Sequence, residues 1–211
     1  NAGLPTTALI TDMNQVLGTT AGNSIEVMEA VSYLSGTARD QRLETITTAL
    51  CTELLILGNL ASDTIDAEAK IKSVLSNGLA MECFQKMVAG LGGPKNFCER
   101  PDIYLQNAKF DMDIFAKEEA YITAMDTRKI GMAVVSLGGG RTKPNEEIDH
   151  SVGFSHIVPL GTKTENNTPV ARVHARTEDQ ARKAADLYLE ALVLSQNPQN
   201  TAVPILKKIV N

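Results

Sequence analysis

The pattern of apolar and polar positions divides the chain into a helical first part and a strand-rich second part. The run Thr6-Thr7-Ala8-Leu9-Ile10-Thr11 is short, β-branched and apolar without alternation. That pattern predicts a strand buried on both faces of a parallel sheet. A polar stretch follows from Asp12 to Gly22, and Asn23-Ser24-Ile25-Glu26 then reads as a capping box opening a helix. Val27, Val31 and Leu34 form its apolar stripe, and Gly36 ends it. Helical spacing recurs over Leu43–Leu57, Ile65–Ser76 and Leu79–Ala89, each closed by Gly or Asn-Gly signals. Near Arg100-Pro101 the character changes. Strands are predicted at Ile114–Phe115, Ala120–Met125, His156–Val158 and Val170–Ala175, with a helix over Thr127–Leu137. A last helix is predicted over Glu178–Leu194, opened by Thr177 with Gln180 three positions on and ended at Asn197-Pro198.

These elements imply an α/β fold class: part of a sheet flanked by helices, followed by a smaller α+β domain, with the boundary near residues 100–112. One difficulty stands out. The first part offers a single convincing strand, and a lone strand leaves its backbone donors and acceptors unpaired. Either further strands are hidden in the pattern, or they lie in sequence outside this chain.

Composition narrows the function classes. The 211 residues are 43% apolar and 21% charged, enough to bury a core. The net charge is −5 and the pI about 5.3. An acidic balance argues against a general nucleic-acid binder, which needs surplus Lys and Arg to displace counterions. Aromatics are 4% with no Trp, so base-stacking platforms are not expected either. No apolar run approaches the ~20 residues of a membrane span, and no secretory leader is visible. Cys51, Cys83 and Cys98 have neither disulfide nor zinc spacing and read as reduced thiols of a cytoplasmic protein. The chain starts at Asn1 without an initiator Met, which suggests a piece of something longer.

Two segments carry candidate chemistry. The loop Asp12–Gly22, beginning Asp12-Met13-Asn14-Gln15, would lie at the carboxyl end of a parallel strand, the edge where α/β sheets bind ligands. It also opens a helix whose N-terminus favours anions. An ordinary solvated βα loop is the competing reading. Glu29 lies early in that helix, and a folded-back loop would give it carbonyl neighbours. Such hard oxygen ligands suit a K⁺- or Ca²⁺-like ion, whereas on pattern alone a solvated Glu is the simpler expectation. The second segment begins at Gly138-Gly139-Gly140-Arg141 and runs without periodicity to His150. It follows a helix where phosphate cradles precede one, so a mobile flap fits better than a phosphate loop. His150, His156 and His174 lack metal-ligand spacing and read as structural. Lys143, Glu146, Glu147 and Asp149 read as a solvated charge run. From the residues alone no reaction follows.

At these same residues a family resemblance emerges. TTALITDMNQVLGTTAGNSIEVMEAV, LETITTALCTELLILG, AMDTRKIGMAVVSLGGGR and IDHSVGF resemble segments of the thymidine and pyrimidine-nucleoside phosphorylases. The likeness spans essentially the whole chain but only the C-terminal half of the family's length. Val16 in DMNQVLG is closer to the bacterial thymidine phosphorylases. The resemblance implies the C-terminal part of a mixed sheet over residues 1–105, in a glycosyltransferase family 3-like domain lacking its N-terminal part. It implies a pyrimidine nucleoside phosphorylase C-terminal domain over 112–190 and a tail over 191–211. It further implies reversible phosphorolysis of thymidine to thymine and 2-deoxy-α-D-ribose 1-phosphate, a pentosyl transfer of pyrimidine salvage. The resemblance also implies phosphate as co-substrate, no organic cofactor, K⁺ as a candidate ion, and a cytoplasmic homodimer without nucleic-acid or membrane partners.

Matched motif to motif, the K⁺ ligands of the pyrimidine-nucleoside phosphorylases fall on the Leu17 and Thr20 carbonyls and the Glu29 carboxylate. Gly138, Gly139 and Gly140 match a loop that orders as the active-site cleft closes, with Arg141 supplying a contact across that cleft. The family's phosphate- and pyrimidine-holding motifs have no counterpart here. No catalytic residue is therefore expected in this half, and the chain alone is expected to be inactive. Two alternatives stand beside this reading. One is a broader phosphorylase that also uses uridine. The other is a non-catalytic binding module with a carrier-like shape, for which Lys163 would be the attachment residue despite lacking a Met-Lys setting.

Overall fold

A computed structural model describes residues 3–199 and 203–210. In chain order the elements are β1 (Thr7–Thr11), β2 (Ala21–Gly22), α1 (Ser24–Ser35), α2 (Gln41–Leu57), α3 (Thr64–Ser76), α4 (Leu79–Gly90) and the short α5 (Pro101–Tyr104). Then come β3 (Phe110–Phe115), β4 (Tyr121–Met125), α6 (Thr127–Val134) with a widened final turn over Val135–Gly139, β5 (Gly153–Ser155), β6 (Pro169–Ala175), α7 (Glu178–Glu190), β7 (Leu192–Ser195) and β8 (Ile205–Val210).

The chain forms two units. The first takes the chain up to Asp12, Val31–Arg100 and the C-terminal strand. Its helices start where capping side chains sit. Asp40 accepts from the Leu43 amide and Asp63 from the Asp66 amide, both at 2.9 Å. Val31, Tyr33, Ile46, Ala67, Ile71 and Phe97 form its buried centre. The core is thin, because α4 buries no residue completely and Leu54, Leu60, Ile65 and Leu91 remain exposed. An apolar groove of about 380 Å³ runs past Tyr33, Cys51, Leu54, Ile71 and Val74.

β1 forms where expected, but its setting differs. It pairs antiparallel with β8, from Thr7 opposite Val210 to Thr11 opposite Ile205, and Ala8 and Ile10 face outward. An apolar β-branched run is the same for either strand direction, and the partner lies nearly 200 residues away in sequence. Among the described residues every ladder is antiparallel.

The second unit takes Met13–Ala30 and the chain from Pro101 through β7. A four-stranded sheet in the order β2-β5-β6-β3 carries α6 and α7, and β4 pairs with β7. α7 lies close to the sheet because Ala181, Ala184 and Ala185 occupy its inner face with Tyr188. The Tyr188 ring stacks at 5.3 Å from Phe154, and its hydroxyl donates to the Val170 carbonyl at 3.2 Å. Burial raises the Tyr188 phenol far above its ordinary value.

Three sequence expectations shift here. The last helix stops at Glu190, because Leu192–Ser195 leaves it to pair with β4. The strand expected at His156–Val158 lies three residues earlier and ends where His156 turns to φ 53°. The segment expected as a tail carries two strands among its described residues. It contributes β7 to one unit and β8 to the other, while residues 13–30 group with the chain after Pro101 instead of with their sequence neighbours. The α/β class holds, with helix-flanked sheets and a separate smaller β/α region.

Candidate functional site

The loop Asp12–Gly22 divides between the units. In the first, Asp12 is buried, donates its amide to the Pro204 carbonyl at 2.9 Å and meets Arg42 Nη2 at 3.3 Å. In the second, the remainder is pinned along its length to the C-terminal module. The Met13 carbonyl accepts from Thr127 Oγ1 at 3.1 Å, and Gln15 Oε1 accepts from the Leu160 amide at 3.2 Å. The Thr19 carbonyl accepts from Ile157, and Ala21–Gly22 pair with Phe154–Gly153. This last approach requires Gly153. Its φ is 146°, and an added Cβ would lie 2.3 Å from the Ala21 carbonyl oxygen. Of the four residues expected at a ligand edge, Asp12 and Gln15 are therefore buried in structural bonds, and Met13 and Asn14 lie at the surface.

The loop folds back onto Glu29. Oε1 accepts from the Thr19 amide at 2.7 Å and the Thr19 hydroxyl at 2.6 Å, and Oε2 accepts from the Thr20 hydroxyl at 2.5 Å. Gly18 lies directly over the carboxylate, where a Cβ would come within 2.6 Å of both oxygens. The simple expectation of a solvated Glu is thus corrected. Three donors on a carboxylate with about four lone-pair sites leave room for one further ligand. A carboxylate flanked by two hydroxyl oxygens is a hard-ligand setting, which would suit an alkali cation and not a transition metal. Among the described residues no group of three His, Cys, Asp or Glu could hold a metal ion.

The second loop, Gly138–Asp149, is closed at its neck. The Asp149 amide donates to the Gly138 carbonyl at 2.9 Å, and Asn23 Nδ2 donates to the Gly139 carbonyl at 2.8 Å. Asn23 thus ties the two candidate loops together. The expected capping box is altered accordingly, with Glu26 accepting from the Gly22 amide instead of its own cap residue. Of the three glycines only Gly138 takes a positive φ, 97°, and the Arg176 guanidinium sits where its side chain would be. Asp149 accepts from the Ser151 amide and hydroxyl at 2.9 and 2.6 Å, and its other oxygen takes Arg176 Nε. Burial pushes the Asp149 carboxyl up, but the bonds from Ser151 and Arg176 outweigh it and hold it below its ordinary value. Inside the loop, Glu146 accepts from the Thr142 hydroxyl at 2.7 Å and from the Thr142 and Lys143 amides at 2.7 and 3.1 Å. These bonds lower its pKa. The expected solvated charge run is therefore corrected at Glu146 and Asp149, which organise the loop.

One cluster escapes a motif search. On the outer face of the second unit's sheet, Arg172 makes a bidentate pair with Asp113 at 2.7 and 3.1 Å. Ser155 Oγ sits 2.7 Å from His174 Nε2 and 3.0 Å from His156 Nδ1. Burial lowers the His174 pKa even though Asp111, its cross-strand partner, pulls it upward. The alternation Asp111, Asp113 and Arg172, His174 was the available signal, since period-two polar positions share one sheet face. His156 and His174, expected to be structural, each place a ring nitrogen on the Ser155 hydroxyl. Lys163 bridges to Tyr121 beside the Glu165–Thr168 turn and does not crown it, as a carrier lysine would.

Two comparisons with known proteins bear on this arrangement. A family model for the pyrimidine nucleoside phosphorylase C-terminal domain matches residues 121–195. The chain is also similar to a thymidine phosphorylase of Colwellia psychrerythraea strain 34H, with 50% identity over 195 residues. That alignment covers 92% of this chain and 44% of the relative, so the chain spans less than half of that protein's length.

Proposed function

From a chain that matches the thymidine phosphorylase family over most of its own length, we propose that the intact protein catalyses the reversible phosphorolysis of thymidine. Phosphate attacks the sugar carbon as the base departs, giving thymine and 2-deoxy-α-D-ribose 1-phosphate. The observation that carries the reading is the 50% identity to a thymidine phosphorylase over 92% of this chain. In this reading the chain is the C-terminal half of a cytoplasmic homodimer. No helix among the described residues is long and apolar enough to cross a membrane.

The chemistry assigns roles to both loops. Phosphorolysis proceeds through an oxocarbenium-like sugar, which water would capture unless excluded. Gly138–Asp149 serves as the flap that completes the site, with Arg141 as its contact residue. The loop from Met13 to Gly22 serves as a rigid support tied to the flap through Asn23. Glu29, with the Leu17 and Thr20 carbonyls, would hold a K⁺ ion, whose charge would brace the loop. The groups that hold phosphate and pyrimidine belong to the remaining length of the protein, so the 211-residue chain alone releases no thymine. The test is an absorbance assay of the intact protein with phosphate and either thymidine or uridine. Preferential loss of thymidine supports the reading, equal use of both nucleosides favours a broader pyrimidine-nucleoside phosphorylase, and no loss of either contradicts both.

A further inference from the structure

The polar cluster on the outer face of the second unit's sheet holds one hydroxyl between two imidazoles. Ser155 is buried, and its Oγ lies 2.7 Å from His174 Nε2 and 3.0 Å from His156 Nδ1. A hydroxyl has a single proton to donate. With both imidazoles neutral, one ring therefore accepts from Ser155 and the other donates to it. A proton added to the accepting ring sets two N–H groups against one oxygen, and the hydroxyl proton loses its acceptor inside a buried site. The charges around the pair come from the neighbouring strands. β6 supplies Arg172 and β3 supplies Asp111 and Asp113, while β2, on the far side of β5, brings only Ala21 and Gly22. Both carboxylates are drawn to Arg172, Asp113 as a bidentate pair and Asp111 at 3.5 Å. An imidazolium here thus meets a guanidinium together with the carboxylates that already neutralise it. Burial holds the His174 pKa down, and the charges of Arg172 and His156 push the same way against Asp111.

His156 is also where the backbone turns. Its φ of 53° is a left-handed conformation that a non-glycine residue keeps only where its surroundings fix it. The next residue, Ile157, is buried and donates its amide to the Thr19 carbonyl at 2.9 Å. Thr19 in turn gives its own amide and hydroxyl to Glu29. We propose that Ser155 and the two histidines form a proton-operated latch: the neutral pair holds the segment after β5 against the Thr19 loop, and uptake of a proton releases that segment and loosens the loop's grip on Glu29. The latched state binds fewer protons. It is favoured above about pH 6.5, the ordinary histidine value, and gives way as pH falls through the folded His174 value. Amide exchange and imidazole titration read the latch directly, whatever reaction the intact protein catalyses.

Two measurements on the intact protein test this. The first follows the imidazole titrations by NMR, with His156 and His174 assigned by the signals lost in His156→Gln and His174→Gln. Ser155→Ala should shift both titration curves, and His156→Gln should raise the His174 midpoint by removing a like charge. The second is amide hydrogen exchange, corrected for its intrinsic pH dependence. Between pH 8 and pH 5 the Ile157 and Thr19 amides should lose about tenfold or more of their protection, while the amide of Ala184 on the buried face of α7 keeps its own. In the double variant His156→Gln, His174→Gln, whose glutamines make hydrogen bonds but take up no proton, that loss should vanish. Titration curves untouched by Ser155→Ala would overturn the latch. So would Ile157 and Thr19 protection that stays level with pH in the wild type, or the same loss in the double variant, which would put the responsible proton elsewhere.

Discussion

At the scale of single residues, the structure works through carboxylates that fasten loops. Glu29 satisfies three donors from Thr19 and Thr20, a loop that would otherwise carry unpaired groups. Glu29→Ala should therefore cost about 2 kcal/mol in denaturant unfolding, the price of leaving partly buried donors unmet. Gly153→Ala should cost about as much or more. It forces a side chain into φ 146° and against the Ala21 carbonyl, and hydrogen exchange at Ala21 and Gly22 should rise with it. His174 sets a pH dependence. Its folded pKa lies below the unfolded value of about 6.5, so the folded state binds fewer protons across that interval. Its contribution is complete above about pH 6.5 and is lost as pH falls through the folded pKa. Replacing it with Gln should flatten that limb in unfolding curves taken between pH 5 and 7.

At the scale of elements, helices were legible because their signals are local. The start of α7 follows from Thr177 and the end of α1 from Gly36, while the Asp40 and Asp63 caps that set the starts of α2 and α3 two and one residues before the expected Leu43 and Ile65 are equally local. Strand settings were less legible because their cause is remote. Nothing in TTALIT names β8 as its partner, and nothing in LVLS distinguishes a helix end from a strand that pairs with β4. The candidate site divides in the same way. Its positions came from motifs, but the parts played by Glu146, Asp149 and Arg176 depend on a loop conformation that no period encodes. The element that unifies the second unit is α7, whose alanine face lets Tyr188 reach Phe154. Phe154→Ala should cost about 3–5 kcal/mol and shift the thermal midpoint of that unit, because a fully buried ring leaves a cavity between helix and sheet.

At the scale of the molecule, the two units contrast in completeness. The second has a closed core in which Ile122, Phe154, Val173 and Tyr188 are wholly buried. The first has a two-stranded ladder and helices that leave Leu54, Leu60 and Ile65 exposed. That contrast stands beside an alignment that covers 44% of a relative's length. The most direct measurement is a phosphorus and proton NMR time course of the intact protein with thymidine and inorganic phosphate. Thymine and a sugar 1-phosphate should appear in equal amounts, with no reaction when phosphate is left out. Unchanged thymidine, or thymine accompanied by free deoxyribose in the absence of phosphate, would contradict the account.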